Sequence, residues 1–305
     1  MYKKITVAVL IILIFSSVKA QLEEFSLSDE WIQKIEKLAP AKGEVQSKKH
    51  RRILVFSTFT GYEHWVIPHT DAVMKVLGEK TGAFEVEISK DIYQFEKKNL
   101  KKYDAIVLNN NCSVGPRRDL LLDVLDQDKN LTDGQRKTKA AELEANLIEY
   151  LKKGGGLMVV HGAIVMQNNS MAFSEMVGGS FDYHPVMQEI TLELCEPDHP
   201  LLKGFGGKSF IHTDEPYLFN KAYTRKNFRP LLYMDTSKLT KKTKDIDEKI
   251  KYVSWIKKFG KGRVFYVSPS HNAQSYEDGR LLKFYLDGAQ YVLGDLKCDD
   301  SPAKF

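Results

Sequence analysis

Short apolar runs that end abruptly in polar residues recur along the chain. Ile53 to Phe56, Tyr103 to Leu108 and Leu157 to Val160 are largely apolar blocks, and Phe84 to Ile88 alternates. Blocks of this length bounded by turn-forming residues read as strands, the continuous ones buried on both faces. Helical spacing fills the gaps between them. Pro68 opens one stretch that carries Val73, Val76 and Leu77 as far as Gly82. Thr132 and Asp133 can cap a longer one with Leu143, Leu147, Ile148 and Leu151, which stops at Gly154, Gly155 and Gly156. Strands separated by helices predict an α/β fold, a mostly parallel sheet with helices on both faces. The second half is richer in β-structure. Gln188 to Leu194 alternates with Ile190, Leu192 and Leu194 on one face. Tyr252 to Ile256 and Val264 to Val267 form a hairpin around Gly260 to Gly262, and Arg280 to Leu293 is a closing helix. Lys238 to Lys249 reads as a charged loop. With no repeat and no linker, the expected organisation is one α/β domain over residues 52–294, preceded by a lead-in at 21–51 and followed by a tail at 295–305.

The first twenty residues have a different character. Lys3 and Lys4 precede an apolar run from Ile5 to Phe15, and Ser16, Ser17 and Val18 to Ala20 supply a small-residue cleavage pattern. This is the plan of an export signal with a mature start at Gln21, which predicts a periplasmic or secreted protein. The run is short of the ~20 apolar residues that a membrane span needs, so no stable span is expected.

Composition narrows the partners. With 43% apolar and 11% aromatic residues the chain is globular, and 45 Lys+Arg against 40 Asp+Glu leaves a formal charge of only +5. The basic residues are scattered or mixed with acids, which argues against a nucleic-acid ligand. Cys112, Cys195 and Cys298 form neither a disulfide framework nor a metal-ligand spacing.

In an open parallel sheet, ligands bind beyond the carboxyl ends of the strands, so polar residues that follow apolar runs carry the functional information. The first strand is followed by Ser57, Thr60, Gly61, Tyr62, Glu63 and His64; the third by Asn109 and Asn110. The fourth ends in His161, and Val264 to Val267 leads to Ser268, Ser270, His271 and Asn272. A single histidine at a strand tip is as readily a satisfied structural group as a working one. The agreement of four segments points to a site. His161, His271 and Glu215 are the expected catalytic groups, and His64, Asn109, His184, Asp214, Tyr62 and Asn272 the expected ligand contacts. His199, between Asp198 and Pro200, reads as turn chemistry, and His69 and His50 as structural. No G-x-S-x-G elbow, P-loop, G-x-G-x-x-G or H-E-x-x-H is present. The remaining set of histidines with a carboxylate suits general acid–base work or a divalent, zinc-like metal, for which His161, His184 and His271 are the candidate ligands.

Arg52 to Ser57, Gly61 to His64 with Ile67-Pro68, Tyr103 to Asn109 and Gly154 to His161 come in a particular order. They are followed by Gly178-Gly179 to His184-Pro185, Asp198 to Pro200, Asp214-Glu215 and Gly260 through His271. The series resembles the ThuA-like (trehalose-utilisation) family within the class I glutamine-amidotransferase-like superfamily. In true amidotransferases the strand-to-helix elbow presents a nucleophilic cysteine, and the matching turn here presents His161. The resemblance therefore implies the fold but not glutamine hydrolysis by the covalent route. It also implies a sugar or keto-sugar ligand. The expected function is an enzyme acting on a sugar or keto-glycoside by hydrolysis, elimination or isomerisation. The alternative is a non-catalytic carbohydrate-binding or accessory protein. Departures from the family lie at Val114 to Asn130 and near Lys241.

Overall fold

The computed structural model describes residues 22–304 apart from Lys241 and Thr243; the expected export signal lies outside these residues. The strands are β1 (Arg52–Phe56), β2 (Glu85–Ser89), β3 (Ala105–Asn109), β4 (Gly156–Val160), β5 (Ser180–Tyr183), β6 (Gln188–Leu194), β7 (Phe210–Asp214), β8 (Leu218–Asn220), β9 (Arg229–Asp235), β10 (Ile250–Phe259) and β11 (Gly262–Val267). Nine of them form one sheet in the order β2-β1-β3-β4-β11-β10-β9-β6-β7, and β5 pairs with β8 separately. The helices are α1 (Asp29–Leu38), α2 (Ile67–Thr81), α3 (Lys97–Leu100), α4 (Leu120–Leu125), α5 (Asp133–Lys152), α6 (Met171–Val177) and α7 (Gly279–Val292).

Chain direction within the sheet decides where the polar strand ends go. β2, β1, β3, β4 and β11 run parallel. From β11 outward, the pairings β11–β10, β10–β9, β9–β6 and β6–β7 are all antiparallel. Four reversals restore the original direction, so the carboxyl end of β7 lies at the same edge as those of β1, β3, β4 and β11. That edge receives the residues after Phe56, Asn109, Val160, Asp214 and Val267.

The helices cover both faces. α1, α2 and α7 pack as one group, and α3, α4, α5 and α6 as another. Strand β11 shows how the layers are filled, because successive side chains point to opposite faces. Phe265 meets Phe284 of α7 with ring centroids 5.0 Å apart. Its neighbour Tyr266 faces away, 4.3 Å from the Trp255 ring and 5.5 Å from Phe219. Gly288 is required on α7, since a Cβ there would strike the Phe265 ring. Local signals set the helix limits. Thr132 and Gln135 exchange side chain and backbone hydrogen bonds as a capping box at the start of α5. Gly82, at φ 65°, ends α2 in the left-handed conformation that glycine adopts without steric cost.

Candidate functional site

His161 is the residue on which the site turns. It follows β4 directly, opens a short 3-10 turn and has φ 44°, a left-handed conformation that costs an L-residue roughly 1–2 kcal/mol. Two neighbours hold it there. The Gly162 N–H donates to Asn110 Oδ1 at 3.2 Å, and His161 Nδ1 lies 2.7 Å from the Ser268 carbonyl. A carbonyl can only accept, so Nδ1 carries the proton and Nε2 presents its lone pair to the interior of the site. Tyr217 packs against the imidazole with ring centroids 4.3 Å apart.

Three more groups meet that lone pair. His271 Nδ1 is 3.2 Å from His161 Nε2 and 3.1 Å from Glu215 Oε2; Glu215 Oε2 is 3.4 Å from His161 Nε2. The His64 ring lies 5.2 Å from that of His161 and 5.1 Å from that of His271, both edge-on. One donor atom from each of His64, His161, Glu215 and His271 falls within 4.8 Å of the others. The three histidines are between 0% and 3% exposed. Glu215 keeps 14% of its side chain open and His184 34%, so the cluster opens on the side where Tyr62 and His184 stand.

Each element of this arrangement has a local cause. The loop carrying His64 is pinned to the segment after β3, because the Thr60 and Gly61 N–H groups both donate to the Cys112 carbonyl at 2.9 Å. Thr60 Oγ1 donates to Asp123 at 2.7 Å, so the Val114–Asn130 insertion, which contains α4, braces the loop. Asp214 holds the opposite wall. Its Oδ2 accepts from the Ser270 N–H at 2.9 Å and the His271 N–H at 3.4 Å, and lies 2.9 Å from His212 Nε2.

Burial and charge set the protonation pattern. Burial, reinforced by the neighbouring His161 and His271, holds His64 well below the ordinary histidine range. Burial also works against charge on His271, but the hydrogen bond and charge of Glu215 outweigh it and raise its pKa. Glu215 is opposed by its own desolvation, yet the adjoining His161 and His271 keep it far below the usual carboxylate range. Asp214 is likewise held low, His212 and the histidine charges overcoming its burial. The nearby Cys112 thiol is pushed up to about 12 by burial and is no thiolate nucleophile.

The structure therefore brings His64, His161, His271 and Glu215 together, with His184 and Tyr62 at the rim. His184 Nε2 stands 3.6 Å from Glu215 Oε1, and its Nδ1 engages the Pro185 carbonyl at 2.9 Å. Among the expected metal ligands it lies outside the four-residue group, and His64 occupies the place instead. Asn109, expected as a ligand contact, turns inward: its amide donates to the Ile67 carbonyl at 3.0 Å and to Asp71 at 2.8 Å, fastening α2 to β3. Asn272 is also buried and turned toward Met187 and Thr213. Asp214 acts on the backbone of its neighbours. These three shape the site from behind. The sequence reading had no hold on the Ser268 carbonyl or Asn110 as orienting groups, since their part depends on which backbone atoms come within reach.

Three imidazoles and a carboxylate form a donor set that suits zinc and related divalent ions. Donors bonded to one zinc at about 2.0–2.2 Å stand ~3.3 Å apart in a tetrahedron, and the 3.1, 3.2 and 3.4 Å separations found here match. His64 Nδ1 is buried and finds no hydrogen-bond partner in the protein. The Ser268 carbonyl on His161 Nδ1 is the kind of outer partner that orients a metal-binding imidazole. The residues fit a divalent cation.

Comparison with known proteins agrees with this architecture. A putative ThuA-like protein from Bacteroides uniformis superposes with a TM-score of 0.62 at 18% identity, covering 81% of this chain and 93% of that one. One from Parabacteroides merdae gives 0.57 at 18% identity, covering 82% and 92%. At this identity the likeness establishes the class I glutamine-amidotransferase-like fold alone. No curated protein matches significantly. The sequence model of the ThuA family, described as trehalose utilisation, matches residues 52–292, and the chain belongs to that family.

Proposed function

We propose that the protein is an enzyme of carbohydrate utilisation that acts on a sugar or keto-glycoside at a divalent-metal site held by His64, His161, His271 and Glu215. The observation that carries this reading is the convergence of those four donor groups within 4.8 Å of one another at the carboxyl edge of the sheet. A bound divalent cation supplies Lewis-acid polarisation of a substrate oxygen and lowers the pKa of a coordinated water. The chain's own groups then account for orientation and proton transfer. His64, kept neutral, offers a lone pair without first losing a proton. Tyr217 and the Ser268 carbonyl fix the plane of His161. His184, at the rim beside Glu215, is placed to exchange a proton between a bound sugar and solvent. A keto group on the sugar ring acidifies the adjacent C–H, so one base and one acid suffice to expel a glycosidic group. The opposed carboxylate pair of ordinary glycoside hydrolysis is not needed.

We also propose that the protein is exported, on the strength of Lys3, Lys4, the apolar run and Ala20; mass spectrometry of the native protein then finds a mature start at Gln21. The functional test is metal analysis of purified protein, together with assay of wild type and His161→Ala against glycosides and 3-keto-glycosides. The reading expects about one divalent ion per chain and turnover that His161→Ala abolishes. Full activity in His161→Ala, or in the chelated protein, ends it.

A further inference from the structure

The lead-in ahead of β1 lies outside the stretch that the family model matches, residues 52–292, yet it folds back onto the neighbours of the histidine cluster. Its helix is specified locally. Ser28 caps α1 by accepting from the Trp31 N–H at 3.2 Å, Asp29 and Glu30 occupy the first turn, and Trp31 and Ile35 turn one apolar face into the core.

Residues 23–34 touch both of the segments that bring His64 and His271 to the site. On the His64 side, the Phe25 ring stands edge-on to Trp65, the residue after His64, with centroids 5.3 Å apart, and to His69 in the first turn of α2 at 5.2 Å. Trp31 meets the same His69 ring at 4.8 Å. On the His271 side, the partner is the 3-10 turn Ala273–Glu277. Trp31 Nε1 donates to Glu277 Oε1 at 3.1 Å, Lys34 pairs with Glu277 Oε2 at 2.5 Å, and the Gln274 amide donates to the Glu23 carbonyl at 2.7 Å. Trp31 is 6% exposed, so its contacts compete little with water. One direct link, Thr70 Oγ1 to the Tyr276 hydroxyl at 2.8 Å, joins the two segments in the core, and the lead-in joins them a second time.

His64 has the most need of such support. The Ser268 carbonyl orients His161 and Asp214 holds the backbone of His271, but His64 Nδ1 has no hydrogen-bond partner in the protein. Its ring therefore follows its loop. Ahead of it the loop is fixed by Thr60 and Gly61 on the Cys112 carbonyl; behind it, Trp65 packs on Phe25.

We propose that residues 22–38 are a clamp that sets the spacing of His64 and His271 for the divalent-metal site proposed above, with Phe25 and Trp31 as its positioning residues. Neither side chain touches the cation; each acts through the segment next to a ligand.

The test measures zinc affinity of the full chain by chelator competition and the visible band of bound cobalt(II), whose intensity reports coordination geometry, beside the urea unfolding midpoint. Loss of an outer support of a metal ligand costs ~10–100-fold in affinity. Trp31→Ala, which removes the contacts to both segments, weakens zinc about tenfold and alters the cobalt band. Trp31→Phe keeps a ring on His69 and loses the bond to Glu277, so it recovers part of that affinity. Leu143→Ala, at a fully buried position on α5 in the other helical group, is the control. It lowers the urea midpoint and leaves zinc affinity and the cobalt band at their wild-type values. Wild-type values in Trp31→Ala overturn the clamp, as does an equal loss of affinity in Leu143→Ala. If Trp31→Ala does not fold, wild-type values in both Phe25→Ala and Trp31→Phe overturn it. A wild-type chain that binds neither zinc nor cobalt ends the metal-site reading itself, and the clamp with it.

Discussion

Replacing Gly162 with alanine perturbs the metal-site geometry at one atom. Gly162 is not among the glycines at positive φ, so alanine fits its backbone without strain. The added Cβ would lie 2.5 Å from Cε1 of His64 and 3.1 and 3.2 Å from its two ring nitrogens. Carbon atoms pack at ~3.5–4.0 Å, so the His64 ring must retreat by roughly 1 Å. Metal–ligand distances hold to within about 0.2 Å, and a 1 Å retreat takes His64 out of the shell. Loss of even an outer partner of a ligand costs ~10–100-fold in metal affinity, so losing the ligand itself should cost at least 100-fold for zinc. The fold should survive, because the displaced ring is at the edge of the core; a fall of about 1–2 kcal/mol in stability is expected from overpacking. Zinc affinity by competition with a fluorescent chelator, read beside the urea unfolding midpoint, separates the two effects. Wild-type zinc affinity in Gly162→Ala would show that His64 is no ligand and that the four-residue site is misassigned.

Other expectations follow from the same structure. His161→Gly and His161→Ala both abolish turnover and both lose the buried imidazole, but the glycine variant should be the more stable of the two by about 1 kcal/mol, since only glycine relieves the left-handed φ; equal unfolding midpoints for the two variants would contradict the strain argument. Zinc affinity should rise with pH in the range above the ordinary histidine value of about 6.5, because a ligand histidine must be neutral and Glu215 raises the pKa at which His271 loses its proton; affinity that does not change with pH above that value would count against His271 as a ligand. Lys257 is buried on β10, and its amine is lowered to about 8 by desolvation. Its folded pKa lies below its unfolded one, so the penalty is complete below pH 8 and fades as pH rises toward ~10.4, the unfolded value. Lys257→Met should therefore be more stable by ~1–2 kcal/mol at neutral pH, after the lost bond to the Glu175 carbonyl is counted, with the gap narrowing in alkali. A gap that widens with pH would refute this.

The parallel half of the sheet was legible because each of its central strands is an uninterrupted apolar block that needs burial on both faces. The histidines at its edge followed from that topology. β9 gives no comparable signal: it begins Arg229-Pro230, and a proline speaks against a central strand until its partner β10 is seen with a bulge beside it. The site was readable as a list of residues but not as a shell. Whether His64 or His184 joins His161 and His271 depends on where two loops lie relative to the elbow, and that is fixed by Cys112, Asp123 and Gly162, none of which carries a sign of it in sequence. Asn109 shows the converse. Its position after β3 is that of a ligand contact, yet Asp71 and the Ile67 carbonyl take its amide first.

The four donors come from positions 64, 161, 215 and 271, far apart along the chain and joined only when the whole sheet has formed. An unfolded chain cannot offer more than one or two of them to the same ion at once. Any cation held by all four is therefore bound by the native state alone, and its entire binding free energy appears as resistance to unfolding. At a free concentration 100 times Kd this amounts to about 2.7 kcal/mol. A thermal melt with and without added zinc thus gauges whether the far-separated halves of the polypeptide have closed on one another, before any substrate has been found.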